Sequence, residues 1–319
     1  MATCFAALDP SAYRANALHE PTRLWPETNC YVDLWIEILH SLGHDPRGAL
    51  AFTVLQDFEG DQFTFFKFPS EDLRVLYGLQ TQELAIYDSV ERHALEQLQR
   101  GRLVLVEVDS YYLPDTRGTS YRTQHGKTTI GINLLDPTAR RLHYFHNAGY
   151  FELQEDDYDG VFRETPANHF PYAEFVKIGQ RADRESTLAV SLRLLRTHLR
   201  HRPTGNPLRH YRESFAAHGA TLGERPLEYF HIYAFNVLRQ LGANFELLSS
   251  YLGWLESQGE SSLEGPCQAS AELAAQAKTL QFQLARAVSR RRFDAIDTGL
   301  QSMEPLYDAA IGALAVRYG

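Results

Sequence analysis

Three predicted strands between residues 103 and 146 constrain the fold of this chain more than any other feature. The segment 103–108 (LVLVEV) is an almost continuous apolar run of the kind found in buried strands. The segments 127–134 and 141–146 are separated by Asp136-Pro137, which is a turn signal. Two strands joined by a short turn pair antiparallel, so the sequence predicts an antiparallel sheet in the first half of the chain.

The second half of the chain has a different pattern. Helical periodicity of apolar residues runs through 187–202, 226–257, 268–292 and 294–318. We therefore predict an α+β fold with a mixed domain at 1–165 and a mostly helical domain at 166–319 packed on it. Within the first domain the pattern predicts a helix at 29–42 and a hairpin over the aromatic, β-branched segment 49–68.

The composition and motifs of the chain argue against several classes of protein. The formal charge of -9 argues against a protein that binds nucleic acid by neutralising phosphates. No apolar run approaches the ~20 residues that cross a bilayer, and the N-terminus lacks the basic and apolar regions of a signal peptide. The three cysteines are far apart and odd in number, which favours a reduced, cytoplasmic protein. The chain has no CxxC, HExxH or Gly-rich phosphate loop, so neither a cofactor nor a metal is predicted.

Cys30 is the strongest candidate nucleophile. Thr28 and Asn29 can cap the predicted helix, which places Cys30 in its first turn. The N–H groups and the dipole at a helix N-terminus favour a thiolate. The backbone N–H of Cys30 and the side chain of Asn29 are candidate donors to an oxyanion. Taken alone, such a cysteine is more often a small buried core residue. A nucleophile also needs a base and an orienting group elsewhere.

His125 and Asn147 are predicted to be that base and that orienting group. In a hairpin that turns at Asp136, directly opposed residues have numbers that sum to about 272, as those of His125 and Asn147 do. An imidazole beside a carboxamide is the pair that a thiol nucleophile requires. Alternatives stay open for both roles. The other candidate bases are His143 and His146, and the other candidate orienting groups are Asp109 and Asp136.

Four features carry a family resemblance: Asn29-Cys30, the segment 106–114 (VEVDSYYLP), His125 ahead of a strand, and the segment 144–153 (YFHNAGYFEL). Together they resemble the papain-like fold. More closely, they resemble the family of the butirosin-biosynthesis acyltransferase N-terminal domain and an uncharacterised bacterial family akin to it. The resemblance covers roughly residues 20–165. It implies transfer of an acyl or aminoacyl group from a carrier-protein thioester to an amine, with Cys30, His125 and Asn147 as the catalytic residues.

The resemblance also implies two binding partners. One is an acidic acyl or aminoacyl carrier protein bearing phosphopantetheine, and the other is a small-molecule amine acceptor. Arg193 and Arg196 share one face of a basic predicted helix and are the expected docking residues for the carrier protein. The alternative for this face is a solvated helix surface. The loop at 109–124 is long enough to cover the site. Its expected substrate-binding residues are Asp109, Tyr112, Asp115 and Tyr121.

One departure from the papain-like pattern affects the predicted activity. Papain-like peptidases place an oxyanion-binding glutamine about six residues before the cysteine, and this chain has Leu24 there. Loss of such a donor disfavours peptide hydrolysis more than transfer from a thioester, because a thioester is already activated. Two rival functions fit the same residues. One is a cysteine peptidase or amidase, and the other is a non-catalytic binding protein.

Overall fold

The computed structural model describes residues 1–5, 8–163, 171–180 and 185–319. The chain divides into two compact units, each assembled from three separate stretches of sequence. The first unit comprises Met1–Glu20, Asn29–Asp45 and Pro69–Arg184. The second comprises Pro21–Thr28, Pro46–Phe68 and Glu185–Gly319. The predicted domain boundary between residues 165 and 166 lies outside the described residues.

The first unit contains an antiparallel sheet of seven strands. They are β1 (Ala2–Thr3), β2 (Leu79–Glu83), β3 (Arg102–Asp109), β4 (Lys127–Asp136), β5 (Arg141–His146), β6 (Gly149–Gln154) and β7 (Ala173–Ile178). The strand order is β2-β7-β3-β4-β5-β6, with β1 beside β4. The predicted antiparallel sheet is confirmed, and its three predicted strands are β3, β4 and β5. Strands β2 and β7 are not predicted by the sequence patterns.

Helices cover both faces of this sheet. The α-helices of the first unit are α1 (Cys30–Ser41), α2 (Ser70–Tyr77), α3 (Val90–Gln99) and α4 (Glu155–Arg163). Helix α1 contacts β4, β5 and β6. Ile38 of α1 packs closely against Gly131 of β4, since a Cβ added to this glycine would lie 3.3 Å from the Cδ1 atom of Ile38. Side chains of the opposite face, such as Val106 and Ile130, form a buried cluster with residues of α3 and α4. The helix predicted at 29–42 is therefore confirmed as α1.

The second unit is almost entirely helical, as predicted. Its α-helices are α5 (Thr187–His201), α6 (Pro207–Glu224), α7 (Leu227–Ala234), α8 (Gln240–Ser257), α9 (Glu264–Arg290), α10 (Asp294–Tyr307) and α11 (Ala313–Tyr318). Two π-helical segments, Phe235–Arg239 and Asp308–Gly312, join α7 to α8 and α10 to α11. Among the described residues, no helix is both long enough and apolar enough to cross a membrane.

The predicted hairpin at 49–68 is wrong. Pro46–Leu55 is a 3-10 helix, and the strand-like pairing described in this stretch is a single bridge between Phe58 and Phe63. A short apolar run is compatible with a buried strand or a buried helix, and periodicity does not distinguish the two. Packing within the second unit selects the helix. The buried carbonyl oxygen of Thr53 accepts a hydrogen bond from Asn244 Nδ2 at 2.9 Å.

Candidate active site

Cys30 is the first residue of α1, and Asn29 caps that helix. The Asn29 side-chain oxygen accepts hydrogen bonds from the N–H groups of Tyr31 and Val32 at 3.2 and 3.0 Å. Asn29 is buried in an extended conformation, with φ −143° and ψ 157°. The predicted cap is therefore confirmed, and it fixes the half-buried thiol of Cys30 at the positive end of the helix dipole.

The Cys30 thiol faces β4. Its sulfur lies 4.0 Å from the hydroxyl oxygen of Thr129. Thr129 is paired directly with Glu107 of β3, so these two side chains leave the same face of the sheet. The strand residue that contacts the sulfur is thus a threonine, with a carboxylate opposite it.

His125 is oriented by Asp109. Its Nδ1 lies 2.6 Å from Asp109 Oδ2, and its ring stacks on Tyr111 with the centroids 4.3 Å apart. Partial burial raises the pKa of Asp109, but hydrogen bonds from His125 and from the N–H groups of Tyr111 and Gly126 outweigh this and lower it. An ionised Asp109 assigns the proton to Nδ1 and leaves Nε2 as the basic nitrogen. The His125 side chain is 69% exposed, so Nε2 is accessible to a substrate.

The predicted pairing of His125 with Asn147 is wrong. In the β4–β5 pair Gly131 lies opposite Phe145, so the opposed numbers sum to 276 at that point, not 272. One further step of two residues along each strand brings Asn147 level with Thr129. Asn147 itself lies in the turn after β5, with a positive φ of 43°. The structure therefore gives the orienting role at His125 to Asp109, one of the alternatives left open by the sequence, and not to Asn147.

The residues that Cys30 and His125 contact lie at neighbouring levels of the β3–β4 pair. Asp109, which holds the imidazole, pairs with Lys127, whereas Glu107 pairs with Thr129 beside the sulfur. Two residues along a strand span ~7 Å, which separates the two levels. Proton transfer between donor and acceptor requires roughly 3 Å. The contact residues of the imidazole and of the thiol are thus offset along the strands by about the space that a reacting group would fill.

Carboxylates surround this part of the site. Glu107 pairs with Lys127 at 3.0 Å, and Glu174 of β7 accepts hydrogen bonds from Tyr31 at 2.9 Å and Tyr172 at 2.7 Å. Burial raises the pKa of the Tyr172 hydroxyl well above its usual value, and the charges of Glu174, Glu83 and Glu107 raise it further. Neither Glu107 nor Glu174 is predicted as a site residue by the sequence patterns. The signal for Glu107 was available, because it is the polar residue within the apolar run at 103–108.

Asp115 lies on the other face of the sheet, away from Cys30. Its carboxylate contacts His146 Nδ1 at 2.5 Å, and His146 Nε2 contacts the Thr128 hydroxyl at 2.7 Å. Tyr144 donates a second hydrogen bond to Asp115. Asp115, His146 and Thr128 are all largely buried. This hydroxyl–imidazole–carboxylate chain ties the 109–124 loop to β5, so Asp115 is placed as an anchor for the loop.

Tyr121 and Tyr112 belong to the same loop but differ in exposure. The Tyr121 hydroxyl donates to Asp157 Oδ2 at 3.0 Å. Arg122, which also pairs with Asp157, lies over the rings of Tyr111, Tyr112 and Tyr121 at 5.6, 5.3 and 5.6 Å. Tyr112 is buried in the core cluster. The structure therefore leaves Tyr121 at the surface with Arg122 and places Tyr112 in the interior.

A second buried histidine lies beside α1. His19 Nε2 is 3.3 Å from Asp33 Oδ1, and its Nδ1 contacts Glu37. Burial alone would lower the pKa of His19, but the hydrogen bonds and charges of Asp33 and Glu37 prevail and raise it to about 9. A protonated imidazole does not bind a metal ion. Among the described residues, no group of three or more His, Cys, Asp or Glu side chains is arranged to hold one.

Family models match both halves of the chain. The DUF1839 N-terminal domain matches residues 14–178, and the DUF1839 C-terminal domain matches residues 184–316. The chain belongs to the DUF1839 family. The comparison with curated proteins gave no match.

Two further predicted residues of this DUF1839 chain lie in the second unit. Arg193 and Arg196 line a groove of about 530 Å³ on α5, together with Arg200. Arg193 pairs with Glu185 at 2.9 Å, and Arg196 lies 5.9 Å over the Tyr318 ring. The predicted basic face therefore lies along α5, and two of its arginines already have contacts within the unit.

Leu24, at the position of the papain-like glutamine, offers no side-chain donor. Its backbone N–H donates to Glu246 Oε1 at 3.0 Å within the second unit of the DUF1839 chain. Because the N–H groups of Tyr31 and Val32 already donate to Asn29, an oxyanion at Cys30 would depend on the backbone N–H of Cys30 itself.

Proposed function

We propose that this DUF1839 protein is an acyl or aminoacyl transferase whose nucleophile is Cys30, built on a papain-like first unit. One observation carries the proposal. A thiol at a capped helix N-terminus contacts β4 at Thr129, and a carboxylate-oriented imidazole lies at the Asp109 end of the same β3–β4 pair. The family resemblance of the sequence implies the two substrates. The acyl donor is a carrier-protein thioester, and the acceptor is an amine.

The first chemical step loads the protein. The Cys30 sulfur attacks the thioester carbonyl, a new sulfur–carbon bond forms, and the phosphopantetheine thiol leaves with the thiol proton. The backbone N–H of Cys30 stabilises the oxyanion of the tetrahedral intermediate.

The second step transfers the acyl group to the acceptor. The amine nitrogen attacks the Cys30 thioester, the amide bond forms, and Cys30 leaves as a thiolate. His125 Nε2 accepts the proton that the amine loses. The offset of ~7 Å along β3 between Glu107, level with Thr129, and Asp109, which holds His125, supports this assignment, because it leaves room for the acceptor. Glu174, which accepts hydrogen bonds from the hydroxyls of Tyr31 and Tyr172, supplies negative charge that favours an amine substrate over an anionic one.

The carrier protein is proposed to dock on the groove of Arg193, Arg196 and Arg200 in the second unit. Arginines attract acidic partners and bind phosphate in bidentate geometry. We keep a cytoplasmic location as part of this proposal, since all three cysteines are free thiols.

The proposal predicts different defects for the two steps. An aminoacylated carrier protein and an amine are incubated with the protein, and mass spectrometry follows both the acyl group on Cys30 and the amide product. Cys30→Ala is expected to abolish both. His125→Gln is expected to slow amide formation about 100-fold or more while acylation of Cys30 persists, because the base acts on the amine. His40→Gln, which changes an exposed histidine of α1, is the matched control and should behave like the wild type.

Several outcomes would contradict this proposal. Full product formation by Cys30→Ala would remove the covalent mechanism. Free acid without amide would identify a hydrolase instead. If His125→Gln slowed both steps equally, His125 would act as the base that deprotonates the Cys30 thiol.

A non-catalytic binding protein is the second candidate, and the Cys30–Thr129 contact favours it. A threonine hydroxyl is too weak a base to activate a thiol at neutral pH. In this case no acyl group would appear on Cys30 with any donor, whereas amines would still raise the melting temperature of the protein.

A further inference from the structure

A cavity in the second unit lies where α5 ends and α6 begins. Its volume is about 380 Å³, within the range of small-molecule sites. One wall is the α5–α6 connection, including Arg202 and Thr204, and the other is the π-helical segment Asp308–Gly312 with the preceding Tyr307. Single-turn π-helical segments within helices are often found at functional sites.

Tyr307 contributes a buried hydroxyl that has no partner. The residue is 5% exposed, and its hydroxyl oxygen is buried without a hydrogen bond to any residue that the structure describes. Burial raises the pKa of this hydroxyl above its usual range, the charges of Asp57 and Asp308 raise it further, and Arg202 opposes them. The hydroxyl is therefore a neutral donor. An unsatisfied buried donor costs about 1–3 kcal/mol unless a ligand or water completes it.

The charge beside this hydroxyl is a guanidinium. Arg202 closes α5 and donates one hydrogen bond to the Leu199 carbonyl at 2.6 Å. Arg202 has no carboxylate partner in the described part of the chain. Arg209, which also lines the cavity, pairs with Glu304, and Arg212 balances the group through Glu304 and Asp297. Arg202 thus supplies the positive charge that remains available to the cavity.

The N-terminus of α6 adds a dipole but no free donors. The Asn206 side-chain oxygen accepts from the Leu208 N–H at 3.0 Å, and its carbonyl oxygen accepts from Arg209 and His210. The 18-residue helix directs its positive end toward the cavity. This dipole would stabilise a bound anion electrostatically, and side chains would donate the hydrogen bonds to it.

We infer that this cavity binds a small ligand through a phosphate or carboxylate group, held by Arg202 and the Tyr307 hydroxyl. The site is independent of Cys30 and of the proposed acyl transfer. Asp308 lines the same cavity and accepts a hydrogen bond from Asn206 Nδ2 at 3.1 Å. Its negative charge, and that of Asp57, which also acts on the Tyr307 hydroxyl, oppose an anion and limit the affinity.

Calorimetry of the full chain with inorganic phosphate and, separately, succinate tests this inference and distinguishes the two anions. The wild type is expected to bind at least one of them. Tyr307→Phe should weaken that binding about tenfold, because it removes one hydrogen bond to a charged group. Arg202→Gln should abolish it, and Asp308→Asn should strengthen it. Arg286→Gln removes an exposed arginine of α9 and is the charge-matched control, with wild-type affinity expected.

The unliganded Tyr307→Phe protein supplies an independent measurement. Because the hydroxyl has no partner, its removal is expected to leave the melting temperature unchanged or to raise it. Wild-type affinity in Tyr307→Phe or Arg202→Gln would overturn the inference. So would the failure of the wild type to bind both phosphate and succinate. None of these results depends on activity at Cys30.

Discussion

His19 shows how one residue makes the stability of the molecule depend on pH. The imidazole lies between the buried carboxylates of Asp33 and Glu37, which raise its pKa to about 9. In an unfolded chain the same group titrates near ~6.5. The folded state therefore binds the His19 proton more tightly. This contribution to stability is fully present below pH ~6.5 and is lost as the pH rises through the folded-state pKa of about 9.

The wild-type protein is expected to lose about 3 kcal/mol of unfolding free energy through His19 between pH ~6.5 and the folded pKa. Urea unfolding across this range measures the loss. His19→Gln is destabilised at neutral pH, but its stability should depend less on pH because glutamine does not titrate. His40→Gln, at an exposed site of the same helix α1, should keep the wild-type slope. Parallel pH profiles for wild type and His19→Gln would refute the assignment.

At the scale of elements, the strands could be predicted from sequence but their register could not. Apolar runs and the Asp136-Pro137 signal locate β3, β4 and β5 because these features are local. The register depends on the centre of the turn. Asp136 is still paired, with Arg141, and the turn is centred on residues 138–139. A bulge between Ile132 and Leu134 shifts the register again.

The difference between local features and strand register also explains which site residues could be predicted. Cys30 and its cap follow from the adjacent residues, so local sequence is sufficient. The contact between His125 and Asp109 depends on how β3 aligns with β4 across a long connection. No local pattern encodes that alignment. Glu174 lies on β7, a strand far along the chain, and was missed for the same reason.

Asp115 provides the test at this scale, because it fixes the 109–124 loop to β5. Asp115→Ala leaves the buried His146 and Tyr144 without their shared acceptor. It is expected to lower the unfolding free energy by about 3 kcal/mol. Trypsin should also cleave faster after Arg117 and Arg122 in the released loop. Asp156→Ala, at a carboxylate 94% exposed, should change neither quantity measurably. Wild-type stability and cleavage in Asp115→Ala would show that the loop is held by other contacts.

For the whole molecule, the structural units do not coincide with continuous stretches of sequence. The matches to the two DUF1839 domains meet between residues 178 and 184, yet the second unit also includes Pro21–Thr28 and Pro46–Phe68. Trp25 shows why these early segments matter. Its indole Nε1 donates a hydrogen bond to the Ala274 carbonyl at 3.1 Å. The indole ring also packs closely against Gly242, since a Cβ added to this glycine would lie 2.4 Å from the ring.

A fragment cut at the boundary between the family matches should therefore fold poorly. Residues 185–319 alone would expose the surface that Trp25 covers and the α5 and α8 surfaces that contact Pro46–Leu55. We expect this fragment to retain helical circular dichroism but to lose a cooperative thermal transition, because its secondary structure is local and its missing packing is not. In the full chain, Trp25→Ala should cost about 3–5 kcal/mol of unfolding free energy. Leu24→Ala, which changes an exposed neighbour, is the matched control. Cooperative melting of the fragment at the full-length temperature would show that the segments before residue 69 are dispensable for the second unit.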